Sequence, residues 1–306
     1  MEKPLKIYWA DAFTDQPFCG NPAVVVVNAD DLSDEQKQII AREMNLSETV
    51  FVSKSDTADF KVQFFTPKQQ TALCGHGTVA AFWVLSSLGR IASEGGSVTV
   101  RQETQAGILP IEVYFDGSNM PVKVMMHQTL PIFFQEETDR EEIAGILGIS
   151  MDGFDNDYPV KLVSTGRPKL FIPIKNRDIL YGIEPDFDKM ADYCIQKSIT
   201  GFHLFTFDTH DPDSDTVARH FAPSAGVNED PVTGIAAGAL GCYLIEFGHW
   251  TKSSPAHFRM EQGFNMNKGG IIEVEITKTD QSFRLVKVGG KACILFNTEI
   301  QPAKTN

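Results

Sequence analysis

Cysteine is scarce in this chain of 306 residues, and the five present (Cys19, Cys74, Cys194, Cys242 and Cys293) are odd in number, with no C-x-x-C pair. That excludes a disulfide framework and a structural zinc site, and reduced thiols are expected. Basic residues are in the minority, 27 against 40 acidic, for a formal net charge of -13. Such a surplus repels phosphate backbones and anionic lipid, so no nucleic acid and no membrane surface is expected as a partner, and a small molecule or a protein fits better. Long hydrophobic runs are missing too. Thr71 to Gly89 holds no Asp, Glu, Lys or Arg, but only Val79 to Leu85 is continuously apolar, too short to span a bilayer. The start, Met1-Glu2-Lys3-Pro4-Leu5-Lys6, has no apolar leader and no small-residue cleavage site, so a cytoplasmic location is expected.

What is present is ordinary globular composition, 42% hydrophobic and 22% charged, which excludes intrinsic disorder. The length suits one large domain or two modest ones. No low-complexity linker divides the chain, but a long-period repeat does. Gly20-Asn21-Pro22 before Ala23-Val24-Val25-Val26-Val27 is echoed by Gly166-Arg167-Pro168 before Lys169-Leu170-Phe171-Ile172-Pro173, each a turn feeding a strand. Ser33 and Gln36 form a capping box for a helix through Met44, and its counterpart starts near Asp186. Strands at Val50-Phe51-Val52 and Leu204-Phe205-Thr206-Phe207 follow. Phe65-Thr66-Pro67 and Phe221-Ala222-Pro223 then each precede a loop and a nearly uncharged helix, Gly75 to Leu88 and Gly234 to Phe247. Ile111-Glu112-Val113 matches Ile272-Glu273-Val274. The offset grows steadily, from 146 residues at Gly20 and Gly166 to 164 at Val122 and Val286, as small insertions in one copy of a duplication produce.

A helix apolar on nearly every face must be buried on all sides, and a sheet wrapped around it achieves this. The expectation is an α+β protein of two pseudo-symmetric domains, 1–127 and 128–306, each a barrel-like, mostly antiparallel sheet around a central helix. The last strand is open to returning to the first domain.

The two helix entrances, Leu73-Cys74-Gly75-His76-Gly77-Thr78 and Asn228-Glu229-Asp230-Pro231-Val232-Thr233-Gly234, are where chemistry can sit. A helix N-terminus leaves N–H groups unpaired and attracts carboxylates, enolates and phosphates. Taken alone, His76, Glu229 and Asp230 read equally well as caps or neutralising charges, and Glu48 as a solvated residue at the start of a strand. Cys74 reads as a small buried hydrophobe, and with His76 it makes too small a ligand set for a metal. Gly75-x-Gly77-x-x-Ala80 has the look of a dinucleotide fingerprint, but no strand runs directly into it and the candidate acid, Glu94, precedes Gly95-Gly96 instead of closing a strand.

At these residues the chain resembles the PhzF-like phenazine-biosynthesis family, related to diaminopimelate epimerases and proline racemases. The resemblance rests on Asp11-Ala12-Phe13-Thr14 with Gly20-Asn21-Pro22, Asn45-Leu46-Ser47-Glu48-Thr49, Phe65-Thr66-Pro67, Leu73-Cys74-Gly75-His76, and Phe221-Ala222-Pro223 through Glu229-Asp230-Pro231-Val232-Thr233-Gly234, in family order over most of the chain. It implies the diaminopimelate epimerase-like fold, a homodimer, and an active site without cofactor or metal in a cleft between the two domains. It further implies Glu48 as general acid/base, His76 and Asp230 assisting, and Asn21, Ser47, Gly75, Gly77, Thr233, Gly234 and Ile235 around a small organic acid. Moving a proton on carbon needs those parts: a base near the C–H, an acid to return the proton, and donors for the enolate.

The chain departs from the family pattern at Ile235, where Ser is common, at Gly77, where Ala is common, and at Gln70, where Glu is frequent. Ile235 removes a hydroxyl that would bind a substrate carboxylate. Two alternatives stand beside the isomerase. One is a two-base racemase using Cys74, which lacks its second thiol because Pro231 stands where Cys would be. The other is a non-catalytic binding protein of the same fold.

Overall fold

The structure is a computed structural model describing residues 4–93, 95–135, 138–248, 254–279 and 282–302, so Met1 to Lys3 and Glu94 lie outside the described residues. The valine run of β2 (Asn21–Val27) is buried on both faces, as β-branched side chains suit, and it lies antiparallel to β1 (Leu5–Ala12) and parallel to β3 (Thr49–Ser53). A parallel neighbour needs a crossover, here α1 (Asp34–Met44). Its Ser33 cap accepts from the Gln36 amide while the Gln36 side chain accepts from the Ser33 amide, the expected capping box. Ile40 and Ala41 of α1 pack on Val24, Val26 and Phe51.

Antiparallel strands follow: β4 (Phe60–Phe65) on β3, the short β5 (Gln70–Thr71) on β4, then the meander β6 (Ser97–Thr104), β7 (Gly107–Phe115) and β8 (Pro121–His127). Between β5 and β6 runs α2 (Gly75–Ser87), with only Trp83 and Ser87 not fully buried. It touches β1, β2, β3, β7 and β8, the wrapped helix that its uniform apolarity requires.

The second unit repeats this succession. After β9 (Ile132–Phe133) and β10 (Lys161–Ser164), β11 (Pro168–Pro173) lies parallel to β12 (Phe202–Thr206), β13 (Thr216–Ala222) lies antiparallel to β12, and β14 (Val227–Asp230) lies on β13. Three helices accompany these strands, α3 (Arg140–Leu147) before β10 and α4 (Arg177–Gly182) and α5 (Phe187–Gln196) in the crossover after β11. Of these only α5, capped by Asp186, is anticipated by the sequence. The central helix is α6 (Gly234–Glu246), followed by β15 (Ala256–Gln262), β16 (Gly270–Thr279) and β17 (Ser282–Gly290). Small residues let the sheet close on α6: a Cβ at Gly241 would stand 2.8 Å from Ile276 Cδ1. Tyr243 of α6 stacks on Phe171 and meets Phe205 edge-on.

The chain divides into two compact units, one of residues 1–127 with 289–306 and another of 128–288. The last strand, β18 (Ala292–Ile300), therefore belongs with the first unit, where it pairs with β1. Among the described residues no helix is long and apolar enough to cross a membrane.

Candidate active site

The α2 entrance is capped by sulfur. Cys74 is the N-cap, and its Sγ accepts from the Gly77 amide at 3.3 Å. His76 is therefore not a cap. Its ring lies 3.4 Å (Nδ1) and 3.7 Å (Nε2) from Cys74 Sγ, and Nε2 also faces Ser47 Oγ at 3.3 Å. Burial pushes its pKa down to about 4, so the imidazole is neutral at neutral pH and is suited to donate or accept a hydrogen bond without carrying charge. The Gly77 backbone is hemmed in, because a Cβ there would stand 2.9 Å from Val50 Cγ2 and 3.1 Å from Phe64 Cδ1.

Glu48 directly precedes β3, and reading it as a solvated residue is incorrect: it is 8% exposed. Thr71 of β5 donates its hydroxyl proton to Glu48 Oε1 at 3.3 Å. Ser47, Glu48, Thr71, Cys74 and His76 thus gather in the first unit, with Gly75 and Gly77 in the first turn of α2. Asn21 is buried as the first residue of β2, opposite Ala12.

In the second unit Asp230 ends β14, and Thr233 is the N-cap of α6. Here too the acid is not a helix cap. Asp230 Oδ2 accepts from the Thr233 hydroxyl at 2.5 Å, while Gln262 bridges the turn, accepting from the Thr233 amide at 3.0 Å and donating to the Asp230 carbonyl at 2.8 Å. Gly234 and Ile235 open the helix, where the first amides have no intrahelical acceptor. The side chain of Ile235 can offer nothing polar, but its amide can.

Neighbouring Glu229 has a structural partner. It accepts from Arg219 in bidentate fashion (2.8 Å at Nε and at Nη2) and from Asn265, while Arg219 Nη1 donates to the Leu180 and Ile183 carbonyls at the end of α4. Alternation along β14 separates the two acids: Glu229 is held by Arg219, whereas Asp230 faces the α6 entrance.

Several polar residues of the two units are given no functional role by the sequence. Thr71, Gln262, Lys169, His203 and His220 all lie on strands whose inward face is set by pairing with distant segments. A signal was available for two of them: Lys169 alternates with Phe171 in a strand-like segment, and His203 sits inside the otherwise apolar run Phe202 to Phe205.

Comparison with known proteins agrees with this architecture. The family model described as "Phenazine biosynthesis-like protein", PhzC-PhzF, matches residues 10–298. An uncharacterized isomerase of Clostridium acetobutylicum is 35% identical over 306 residues, covering 98% of this chain and 99% of its own. The crystal structure of a phenazine biosynthesis protein of the PhzF family from Bacillus anthracis superposes with a TM-score of 0.90 at 31% identity, covering 98% of this chain and all of that one. A hydroxyproline epimerase from Agrobacterium vitis shares the fold alone, with a TM-score of 0.65 at 11% identity over 98% of this chain and 93% of that one. The chain belongs to the PhzC-PhzF phenazine biosynthesis-like family and is, like the relatives named for it, an enzyme of the isomerase kind.

Proposed function

We propose that this isomerase moves a proton on carbon of a small organic acid without a cofactor, with Glu48 as general acid/base. The observation that carries the reading is the seat of Glu48: a buried carboxyl, held by Thr71, in the unit whose helix entrance bears the neutral imidazole of His76. A carboxyl shielded from bulk water and oriented by a fixed donor is placed to take a proton from a bound substrate and to return it. His76 and Asp230 assist as hydrogen-bonding and proton-exchanging groups.

The amides at the two helix entrances hold the substrate's anionic oxygens. Because the Gly77 amide already bonds Cys74 Sγ, Gly75 is the donor in the first unit, and Gly77 lets Val50 and Phe64 pack directly against the helix entrance. In the second unit the Thr233 amide bonds Gln262, so Gly234 and Ile235 donate. Asn21 and Ser47 complete the contacts, Ser47 through its link to His76. Lacking a hydroxyl at 235, the α6 entrance offers a substrate carboxylate its backbone amides. A homodimer located in the cytoplasm completes the proposal, and light scattering and cell fractionation test those two statements.

The racemase alternative draws on the 3.4 Å contact of Cys74 Sγ with His76. A two-base racemase needs a second acid of matching strength, and Pro231 occupies that position. The capping bond from the Gly77 amide gives Cys74 a structural task instead.

Incubating the protein with a metabolite extract in deuterated water tests the proposal. Label entering a small hydroxy, amino or enol acid is expected. Retention of a small molecule with no label would favour a binding protein without turnover.

A further inference from the structure

We propose that Lys169 is a specificity-determining residue of the second unit: its ammonium, flanked by the imidazoles of His203 and His220, binds a carboxylate of the substrate at the entrance of α6 and selects acids over their amides and esters. This rests on the function proposed above, in which the α6 entrance holds an anionic group.

Lys169 belongs to the face of β11 that looks onto α6. Leu170 and Ile172 enter the outer apolar cluster with Phe202, Leu204 and Phe221, whereas Phe171 stacks on Tyr243 of α6. Lys169 lies two residues before Phe171 and so shares its inner face. His203 pairs with Phe171 and with His220, and His220 pairs with Asp230, whose carboxylate accepts from Thr233, the N-cap of α6. The turn before β11 meets the same helix end. There the Thr165 hydroxyl donates to the Ile235 carbonyl at 3.4 Å, and Lys169 Nζ reaches back to that turn, donating to the Arg167 carbonyl at 3.3 Å.

The internal repeat identifies what the lysine replaces. With Gly20-Asn21-Pro22 set against Gly166-Arg167-Pro168, Lys169 corresponds to Ala23. Val24 pairs with Thr49 and Leu170 with Phe202, so the inner-face neighbour of Ala23 is Glu48 and that of Lys169 is Gly201. Short and long side chains are exchanged: the first unit sets alanine beside glutamate, the second lysine beside glycine. Glu48 and Lys169 thus occupy matching places before the two central helices, with opposite charge. His203 and His220 correspond to Val50 and Phe64, which close on the first turn of α2, 2.9 and 3.1 Å from a Cβ built on Gly77.

The three polar side chains are buried with hydrogen-bonding capacity to spare. Lys169, His203 and His220 are 4%, 1% and 3% exposed, at least as shielded as Glu48 and His76. Among the described residues, neither ring nitrogen of His203 nor Nδ1 of His220 has a partner, and the Arg167 carbonyl is the single acceptor that the Lys169 ammonium meets. A carboxylate brings about four lone-pair sites and the opposite charge. The amides of Gly234 and Ile235, without intrahelical acceptors, add to the same seat. A neutral amide or ester would leave a buried ammonium unpaired, which is the basis of the selection. Burial, with Arg167 nearby, brings Lys169 down to about 7, and the charge of Asp230 acts in the opposite sense. A bound carboxylate raises it again.

The full chain with 13C-labelled lysine, titrated with malonate and, as the neutral control, with malonamide, tests the proposal through NMR of the lysine Cε–Hε signals. The readout is binding and needs no turnover, so it stands or falls apart from the role of Glu48. Saturating malonate should raise the titration midpoint of one lysine by about one pH unit or more, and malonamide should leave it in place. That signal should be missing from Lys169→Met and Lys169→Gln, and calorimetry should find malonate bound at least about tenfold more weakly by both, with unchanged circular dichroism. Malonate that moves no lysine midpoint in the wild type, a measurement independent of any variant, overturns the proposal. So does equal affinity for malonate in Lys169→Met or Lys169→Gln.

Discussion

The Thr71 hydroxyl donates to Glu48 Oε1 across 3.3 Å, tying the carboxyl that precedes β3 to the short strand leading into α2. Removing that donor by Thr71→Val should leave the protein folded and lower the rate of proton exchange on carbon by about tenfold, because the carboxyl loses its fixed orientation. Exchange rates and melting temperature measured side by side decide it. A fall in melting temperature with no change in rate would assign Thr71 to stability alone.

Cys74 caps α2 through its sulfur and so has a task other than acid/base chemistry. Cys74→Ser keeps a side-chain acceptor at the N-cap and should hold activity to within about threefold. Collapse of activity with the fold intact, by circular dichroism, would support the thiol-based racemase instead.

Three buried imidazoles make stability depend on pH. Unfolded histidines titrate around 6.5, whereas His76 is held at about 4, His203 at about 3 and His220 well below 6.5. Below about pH 6.5 the unfolded chain therefore binds protons that the folded one does not, and stability falls on acidification by up to about 1.4 kcal/mol per pH unit for each histidine. Urea midpoints should drop between pH 7 and pH 5, and less steeply in the double variant His203→Val, His220→Phe, which carries the residues of the first unit.

The Arg219–Glu229 pair is bidentate and largely shielded, with Arg219 buried and Glu229 partly so, and Arg219 also binds the end of α4. Glu229→Gln leaves the guanidinium's charge uncompensated and should cost about 3 kcal/mol in urea unfolding. A loss under about 1 kcal/mol would mean that Asn265 and the carbonyls suffice without the charge.

Gly20 sits at φ +65°, and a Cβ there would stand 2.1 Å from the Ala12 carbonyl oxygen. Gly20→Ala should therefore destabilise the β1–β2 turn by more than about 2 kcal/mol, readable as a lower thermal midpoint.

The repeat of turn, strand, crossover and buried helix is legible in the sequence because each piece has a local signature: the Ser33–Gln36 box, the valine run, the uncharged stretches closed by Gly89 and Gly248. Two helices of the second unit, α3 and α4, are not read from the repeat, because they are short additions to it, although Asp139 and Asn176 cap them and Gly148 closes α3. Glu48 and His76 are legible only as parts of a motif. Whether Glu48 is solvated depends on Thr71, 23 residues away on another strand, and no local pattern carries that. Lys169, His203 and His220 escape for the same reason, since their place on one face of the sheet emerges only when three strands are set in register.

The most direct measurement compares wild type with Glu48→Gln in deuterated water, following label at the substrate carbon by NMR while circular dichroism monitors the fold. General acid/base catalysis by Glu48 requires the variant to lose at least about a thousandfold in label incorporation with an unchanged melting profile. Label entering at the wild-type rate in Glu48→Gln would contradict the account.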